Sequence, residues 1–517
     1  MKSCSYYKYL DFDGERFFTA ILLPECGGRW PVVIMRSPYV SGAECVAEES
    51  LVADCAQRYK SWIERGYAVV FQHCRGQGKS TGAFVPYVHE REDGLNLRQW
   101  VRQQEFYNGE LFLVGGSYTA SLHYATAPFE ADVKGAVFEV QDSERYRLWY
   151  RNGQMRKGHT NWHFELYKAK CGLDKHFDMA SFGQLPIEGL SQRALGERAE
   201  DFEQMLEAPR KDHSFWDTRN GGADARNATQ DTHVPMLLTT GYNDFYVGGM
   251  FAMWGEMTEA TRSRCAMLVS PYDHGDGYYA GESVYFPGGK RTEAFGQDYR
   301  IDWLDHVRLG TPLPYEKGKI TYYRAFENRW DTDFWAVPVK AQVALLGKGQ
   351  RTLHYDPKDA PGQCGEGGFM PSFDGRADVI TIYTLPFEKD AFVKGQMRAR
   401  VVVSTNVPDC AYHVAISIQK PDGDVKLRHD ITSISFSKGD YRPGEKVCLE
   451  FAFDPHAFRV EKGEGLRVDI SCADDNTYVC HTCQKGPYHL QTKSSPAIST
   501  VWLDESCIIL PEETDAE

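Results

Sequence analysis

The stretch Leu113-Val114-Gly115-Gly116-Ser117-Tyr118-Thr119-Ala120 constrains this chain more than any other. A short apolar run climbs into two glycines, a serine, an aromatic residue and then small residues. That order suits a sharp strand-to-helix turn in which the serine takes a cramped backbone conformation with its hydroxyl exposed. Glycine two residues before the serine leaves room for strand and helix to pass closely. Thr119 stands where the G-x-S-x-G pattern has its second glycine, so the surrounding sequence must decide.

The flanking pattern alternates strand and helix. Residues 17–23 and 31–35 read as strands, and 47–65 has helical spacing with Leu51, Val52, Cys55, Tyr59 and Trp62 on one face. Tyr67 to Phe71 is a short apolar run of the buried parallel kind, 93–104 is again helical, and Leu111 to Val114 leads into the serine. Such alternation predicts a parallel sheet with helices on both faces. From about Asp142 to Asp231 the strand runs disappear and Arg, Trp, Tyr, Lys and Glu crowd together, which predicts a helical insertion. Strand character returns at 235–240 and 266–269, and a helix over 301–307 closes this part before Gly310. Beyond Val337 short strand-like runs separated by Gly, Pro and Asp turns predict a β-sandwich or jelly roll. The expected organisation is a parallel α/β domain in two parts, 1–141 and 232–337, a helical cap over 142–231, and a β-domain over 338–517.

Length and charge bound the function. A chain of 517 residues exceeds one ordinary core, and a net charge of -14 argues against nucleic acid, whose phosphates need clustered Lys and Arg. No apolar run approaches the roughly 20 residues that span a bilayer. The start, Met1-Lys2-Ser3-Cys4, lacks the apolar core of a signal peptide, so the expectation is a cytoplasmic protein without a membrane partner. The 14 cysteines lack framework spacing and are expected to be reduced. Cys480-His481-Thr482-Cys483 has no second C-x-x-C to complete a zinc site and reads as ordinary strand cysteines. His159 and His163 lack the glutamate of H-E-x-x-H and read as residues of the cap surface.

A serine nucleophile needs a base, and the base needs a carboxylate that holds its tautomer. In an α/β-hydrolase both follow in chain order on loops after later strands. The strand 235–240 runs into Gly241-Tyr242-Asn243-Asp244, and the strand 266–269 runs into Ser270-Pro271-Tyr272-Asp273-His274. Ser117, Asp244 and His274 therefore form the candidate catalytic set, with Asp273, Asp276 and Asn243 as local competitors and Asp276 the easiest to confuse with the acid. One oxyanion donor should be the backbone N–H of Tyr118, the residue after the nucleophile. The early-strand loop, Arg36-Ser37-Pro38-Tyr39, lacks the glycines that usually supply the other, and a tyrosine hydroxyl could replace them.

The R-S-P-Y segment, Cys74-Arg75-Gly76-Gln77-Gly78-Lys79-Ser80-Thr81-Gly82, Glu92-Asp93-Gly94, Asn108-Gly109, G-G-S-Y and Glu327-Asn328-Arg329-Trp330 together carry a resemblance. Over nearly its whole length the chain resembles the cocaine esterase-like family of α/β-hydrolases, which also holds X-Pro dipeptidyl-peptidases and α-amino acid ester hydrolases. The resemblance implies that Tyr39 donates to the oxyanion, with Ser117 as nucleophile, Asp244 as acid and His274 as base.

The chain departs from the family in places. His73-Cys74 replace the usual acidic residue before Arg75-Gly76, Ala120 replaces a common glycine, and the histidine loop reads S-P-Y-D-H rather than G-P-W-x-H. Where the α-amino acid ester hydrolases carry a carboxylate pair after the catalytic acid, this chain has the uncharged Phe245-Tyr246-Val247-Gly248. An α-amino acyl substrate is thereby disfavoured unless Glu144 or Glu165 of the cap supplies the charge. The X-Pro peptidases carry a large N-terminal region, whereas this chain enters its first strands at once.

The resulting expectation is a serine hydrolase cleaving a small-molecule carboxylic ester through an acyl-enzyme. The alternatives are an amidase, acylase or dipeptidyl-peptidase with the same residues, or a non-catalytic carbohydrate-binding protein on the same scaffold. The chemistry requires no metal or organic cofactor. The pocket is expected between main domain, cap and β-domain, with Trp149, Tyr150, Trp162, Phe164 and Phe245 as candidate walls. The tail domain is expected either to pack on its own chain or to help form a homodimer.

Overall fold

The fold was analysed in a computed structural model that describes residues 3–171, 179–217, 219–276, 284–335 and 341–513. Strands β1 (Cys4–Phe12), β2 (Glu15–Leu23), β3 (Trp30–Ser37), β4 (Ala68–His73), β5 (Tyr107–Gly116) and β6 (Val133–Glu139) begin the main sheet. A small hairpin, β7 (Tyr150–Arg151) and β8 (Gln154–Met155), stands apart from it, and β9 (Met236–Gly241), β10 (Ala266–Ser270), β11 (Ile320–Arg324) and β12 (Arg329–Asp333) complete it. The ten strands run in the order β1-β2-β4-β3-β5-β6-β9-β10-β11-β12. Pairing is parallel from β4 through β3, β5, β6, β9 and β10 to β11, and antiparallel at both ends. The central strands are buried along their length, as near-continuous Val, Ile and Leu runs in a sheet covered on both faces require.

The helices that cover the sheet begin with α1 (Glu48–Arg58), α2 (Lys60–Glu64), α3 (Glu90–Arg102) and α4 (Tyr118–Tyr124). The single helix expected over 47–65 is two, because Tyr59 leaves helical geometry at φ -102° and ψ 19°. Between β6 and β9 lie α5 (Tyr146–Trp149), α6 (Lys157–Cys171) and further short helices that form the cap. Phe164 and Phe202 meet at its centre with ring centroids 4.7 Å apart.

The C-terminal part is all-β. Seven strands form one antiparallel sheet around the long strand Ala497–Glu513, and four more form a second in the order Val379–Tyr383, Leu466–Ser471, Ala411–Lys420, Gly423–Ser433. Val403, Leu449, Ile416 and Val468 share one buried cluster between them. The boundary expected at 337 lies outside the described residues. Arg151 of the cap hairpin docks on this domain, 2.7 Å from Asp430 and 3.1 Å from Asp454.

Two cysteine expectations are corrected. Cys4 and Cys26 form a disulfide, because β1 pairs with β2 in a register that sets their Cα atoms 5.4 Å apart. Cys480 and Cys483 sit not on a strand but in the loop that follows Leu466–Ser471, where Cys483 Sγ lies 3.9 Å from Cys410 Sγ. Among the described residues no helix is long and apolar enough to cross a membrane.

Candidate active site

Ser117 sits between β5 and α4 with φ 57° and ψ -130°, a conformation that non-glycine residues rarely hold. The turn is over-determined by its neighbours. A Cβ on Gly115 would lie 2.3 Å from the Thr119 carbonyl oxygen, so glycine is required there. Thr119 compensates for the missing second glycine by closing the turn with its own hydroxyl. That oxygen accepts from Gly116 N–H at 2.8 Å and donates to Gly116 C=O at 2.7 Å.

Asp244 and His274 lie past the carboxyl ends of β9 and β10, where an open α/β sheet places its sites. The two loops are stitched together: Tyr242 N–H donates to Ser270 C=O at 2.8 Å, and Asn243 N–H to Tyr272 C=O at 3.1 Å. A Cβ on Gly241 would strike the Tyr272 carbonyl at 2.1 Å. This close approach brings Asp244 Oδ2 to 2.7 Å from His274 Nδ1, while Asp244 Oδ1 accepts from Tyr246 N–H at 2.7 Å. Asp244 is buried, and Phe245 stacks on the imidazole at 5.3 Å. Burial pulls the His274 pKa down, but the charges of Asp244 and Asp273 outweigh it and hold it above the ordinary value.

The competitors separate cleanly. Asp276 accepts from Ser270 Oγ at 2.6 Å and pairs with Arg291 at 3.0 Å, so it braces the loop. Asn243 donates to Pro271 C=O at 2.8 Å. Asp273 does not contact the imidazole through a hydrogen bond; burial and the neighbouring Asp244 push its carboxyl up to about 6.

Tyr39 turns its hydroxyl toward the serine. Trp162 Nε1–H donates to it at 3.2 Å, and the Ser117 side chain and the Tyr118 N–H also face it. Its pKa is nonetheless raised, because burial outweighs these donors. The scattered motifs of the first third converge beneath this loop. Arg36 is buried against Glu90 at 3.1 Å and Asp93 at 3.6 Å, Arg75 pairs with Asp93 at 2.5 Å, and Tyr118 O–H donates to Glu90 at 2.6 Å. A single buried ion network thus fixes the Tyr39 loop, the first turn of α3 and the residue after the serine.

Tyr39, Ser117 and His274 open on one cavity of about 800 Å³ between all three parts of the chain. Trp162 and Phe245 line it as expected. Trp149, Tyr150 and Phe164 do not. Trp149 meets the His159 ring edge-on at 4.6 Å, Tyr150 donates to Met205 C=O at 3.3 Å, and Phe164 is 0% exposed in the cap core. The cap needs these rings to fold, and α6 turns only part of its circumference to the cavity. His159 and His163 are both buried rather than on the cap surface, because α6 packs them against Trp149. His159 lines the cavity, stacked on Trp162 at 4.6 Å.

Several lining residues escaped sequence reasoning. Tyr246 faces the imidazole at 5.6 Å and presents its hydroxyl to Ser117. Its signal was its place two residues after Asp244. Arg156, Gln363, Glu366, Lys426, His429 and Asp454 form a further, polar wall, and no local motif marks them. Glu144 and Glu165 lie elsewhere: Glu144 is held by Arg147, Lys211 and Arg226, and Glu165 is exposed beside Asn161.

One group among the described residues has the composition of a metal site, namely His413, His429 and Asp474. The two imidazoles are already hydrogen-bonded at 2.9 Å, and the Lys426 ammonium lies 3.6 Å from Asp474. That ammonium supplies the positive charge a metal would bring, so the trio reads as a hydrogen-bonded wall.

A sheet of this order with a serine on its central turn, a helical cap and loop-borne Asp and His is an α/β-hydrolase. The chain belongs to the X-Pro dipeptidyl-peptidase (S15) family, whose model matches residues 13–276, and residues 318–507 match the X-Pro dipeptidyl-peptidase C-terminal non-catalytic domain. Cocaine esterase of Rhodococcus sp. (strain MB1 Bresler) is 28% identical over 146 residues, which is 27% of this chain and 24% of that protein. An aminopeptidase from a marine-sediment Thaumarchaeota archaeon superposes with a TM-score of 0.80 at 16% identity, over 98% of this chain and 96% of that one. An α-amino acid ester hydrolase superposes with a TM-score of 0.78 at 18% identity, over 99% and 97%. At such identities these two likenesses establish the fold.

Proposed function

We propose that the protein is a serine hydrolase that cleaves carboxylic esters through an acyl-enzyme on Ser117. The observation that carries this reading is the 2.7 Å contact between Asp244 and His274 Nδ1, beside a strained serine that shares the cavity with His274. Asp244 holds the proton on Nδ1 and leaves Nε2 as the base. Nε2 takes the Ser117 proton as Oγ attacks the acyl carbonyl. The tetrahedral oxyanion is received by the Tyr39 hydroxyl and the Tyr118 N–H, which lie close to one another beside Ser117. His274 returns the proton to the departing alkoxide, and water then releases the acid by the same steps.

Esters are favoured over α-amino acyl substrates, because Phe245-Tyr246-Val247-Gly248 carries no charge and Glu144 is engaged by three cations. The test compares p-nitrophenyl butyrate with dipeptide p-nitroanilides and weighs the intact protein during turnover. Ester turnover with a butyryl adduct on Ser117 is expected. Faster anilide cleavage would replace the ester reading with a peptidase, and an adduct on any other residue would remove Ser117 from the chemistry.

A further inference from the structure

The cavity has two unlike ends. Trp162, Phe245 and Tyr246 stand about Ser117 and His274, whereas a second wall is polar and drawn from the cap and the β-domain. Two Lys or Arg side chains line it among the described residues, Arg156 and Lys426. Lys426 is spoken for: its ammonium donates to Cys364 C=O at 2.9 Å and lies 3.6 Å from Asp474. The carboxylates of that wall are also matched, Glu366 by Arg428 at 3.2 Å and Asp454 by Arg151 at 3.1 Å. Arg156 makes no ion pair within 4.0 Å among the described residues, although its charge acts on both Glu366 and Asp454. Its guanidinium lies over the Tyr478 ring at 5.6 Å, and its Nε is buried without a hydrogen bond.

Beside it stands a second unmatched group. Gln363 lines the cavity at 2% exposure, and neither its amide nitrogen nor its amide oxygen has a partner among the described residues. Its main chain is pinned, donating to Asp474 Oδ1 at 3.0 Å and accepting from Asn476 Nδ2 at 2.7 Å. The same loop holds Arg156, which forms a β-bridge to Tyr478. A buried polar group without a partner is costly, and one on a cavity wall is completed when a ligand supplies the partner. A guanidinium offers only donors in a planar fork, and the group that answers it with acceptors and charge is a carboxylate.

We propose that this wall is a subsite for a carboxylate on the substrate, bound by Arg156 with the Gln363 amide beside it, so that the ester cleaved carries a free acid beyond an apolar spacer. The substrate assignment rests on the esterase reading, whereas binding at the subsite does not. Turnover is measured on p-nitrophenyl hemiesters of succinate, glutarate, adipate and suberate against neutral p-nitrophenyl esters of equal length. At the fitting length kcat/KM favours the hemiester by about tenfold or more, the scale of one charge-assisted contact. Added salt raises KM for that hemiester alone. Arg156→Met abolishes the preference, Arg156→Lys keeps part of it, and Gln363→Leu reduces it in a second, independent variant. Preference for neutral or ω-ammonium esters at every length overturns the proposal, as does a preference that survives Arg156→Met.

Calorimetry on Ser117→Ala protein separates this from the reaction itself. Monomethyl adipate and monomethyl glutarate bind more tightly than their dimethyl esters, and the additional change Arg156→Met removes the difference. No difference between mono- and dimethyl esters sinks the subsite. A wild-type protein that hydrolyses no ester but keeps the binding difference sinks the esterase reading instead.

Discussion

The two ends of the cavity are built on opposite plans. At the serine end the groups of the turn and the Asp–His pair are held before any ligand arrives: Asp244 uses both oxygens, and Thr119 closes the turn on both sides. It hangs on strands of one sheet, with Trp162 donating to Tyr39 from the cap. The polar wall is assembled from positions between 156 and 477 in two different parts of the chain, and it leaves Arg156 and Gln363 unmatched. The contrast separates two tasks. Chemistry demands groups preorganised against one another. Recognition leaves groups that only the ligand can complete, and it is supplied by elements that vary without disturbing the sheet.

The comparison can be broken at either end. Ser117→Ala should cost about 10⁶ in kcat, since it removes the proposed nucleophile outright. Asp244→Asn should cost about 10⁴, because the imidazole then loses the partner that fixes its tautomer. Phe164→Ala should lower unfolding free energy by about 3–5 kcal/mol in urea titration and leave KM unchanged, as befits the cap core. A raised KM at unchanged stability would put Phe164 back in the wall. Tyr39→Phe should keep the fold and lose about 10²–10³ in kcat, and a wild-type kcat would strip Tyr39 of its oxyanion role.

The smallest effect is in pH. Because the His274 pKa is held above 6.5, the imidazole stays protonated to higher pH, and kcat/KM should fall on acidification with a midpoint above that value. Removing the Asp244 charge should move the midpoint of the residual activity to lower pH. A midpoint that does not move would show that another group titrates.

The serine end was legible because its signals are local. The β5–α4 turn, the R-S-P-Y loop and the two strand-end loops each occupy a handful of consecutive residues, and chain order did the rest. The polar wall was not legible, because Gln363 and Arg156 reach one cavity only through the β-domain loop at 474–478, which meets the cap. Cap aromatics were half-read for a related reason. A helix packed on several sides buries most of its circumference, so composition could not tell Trp162, at the cavity, from Phe164, two residues on in the core. The Cys4–Cys26 pairing was equally hidden, since it depends on the register of an edge strand that was not read from the sequence.

The most direct test of the account is labelling with a fluorophosphonate, read by mass spectrometry of the digested protein. One equivalent should attach to Ser117, at a rate that falls on acidification with the same midpoint as kcat/KM, and none to the Ser117→Ala protein. A native protein left unlabelled, or labelled on another serine while ester hydrolysis stops, would contradict it.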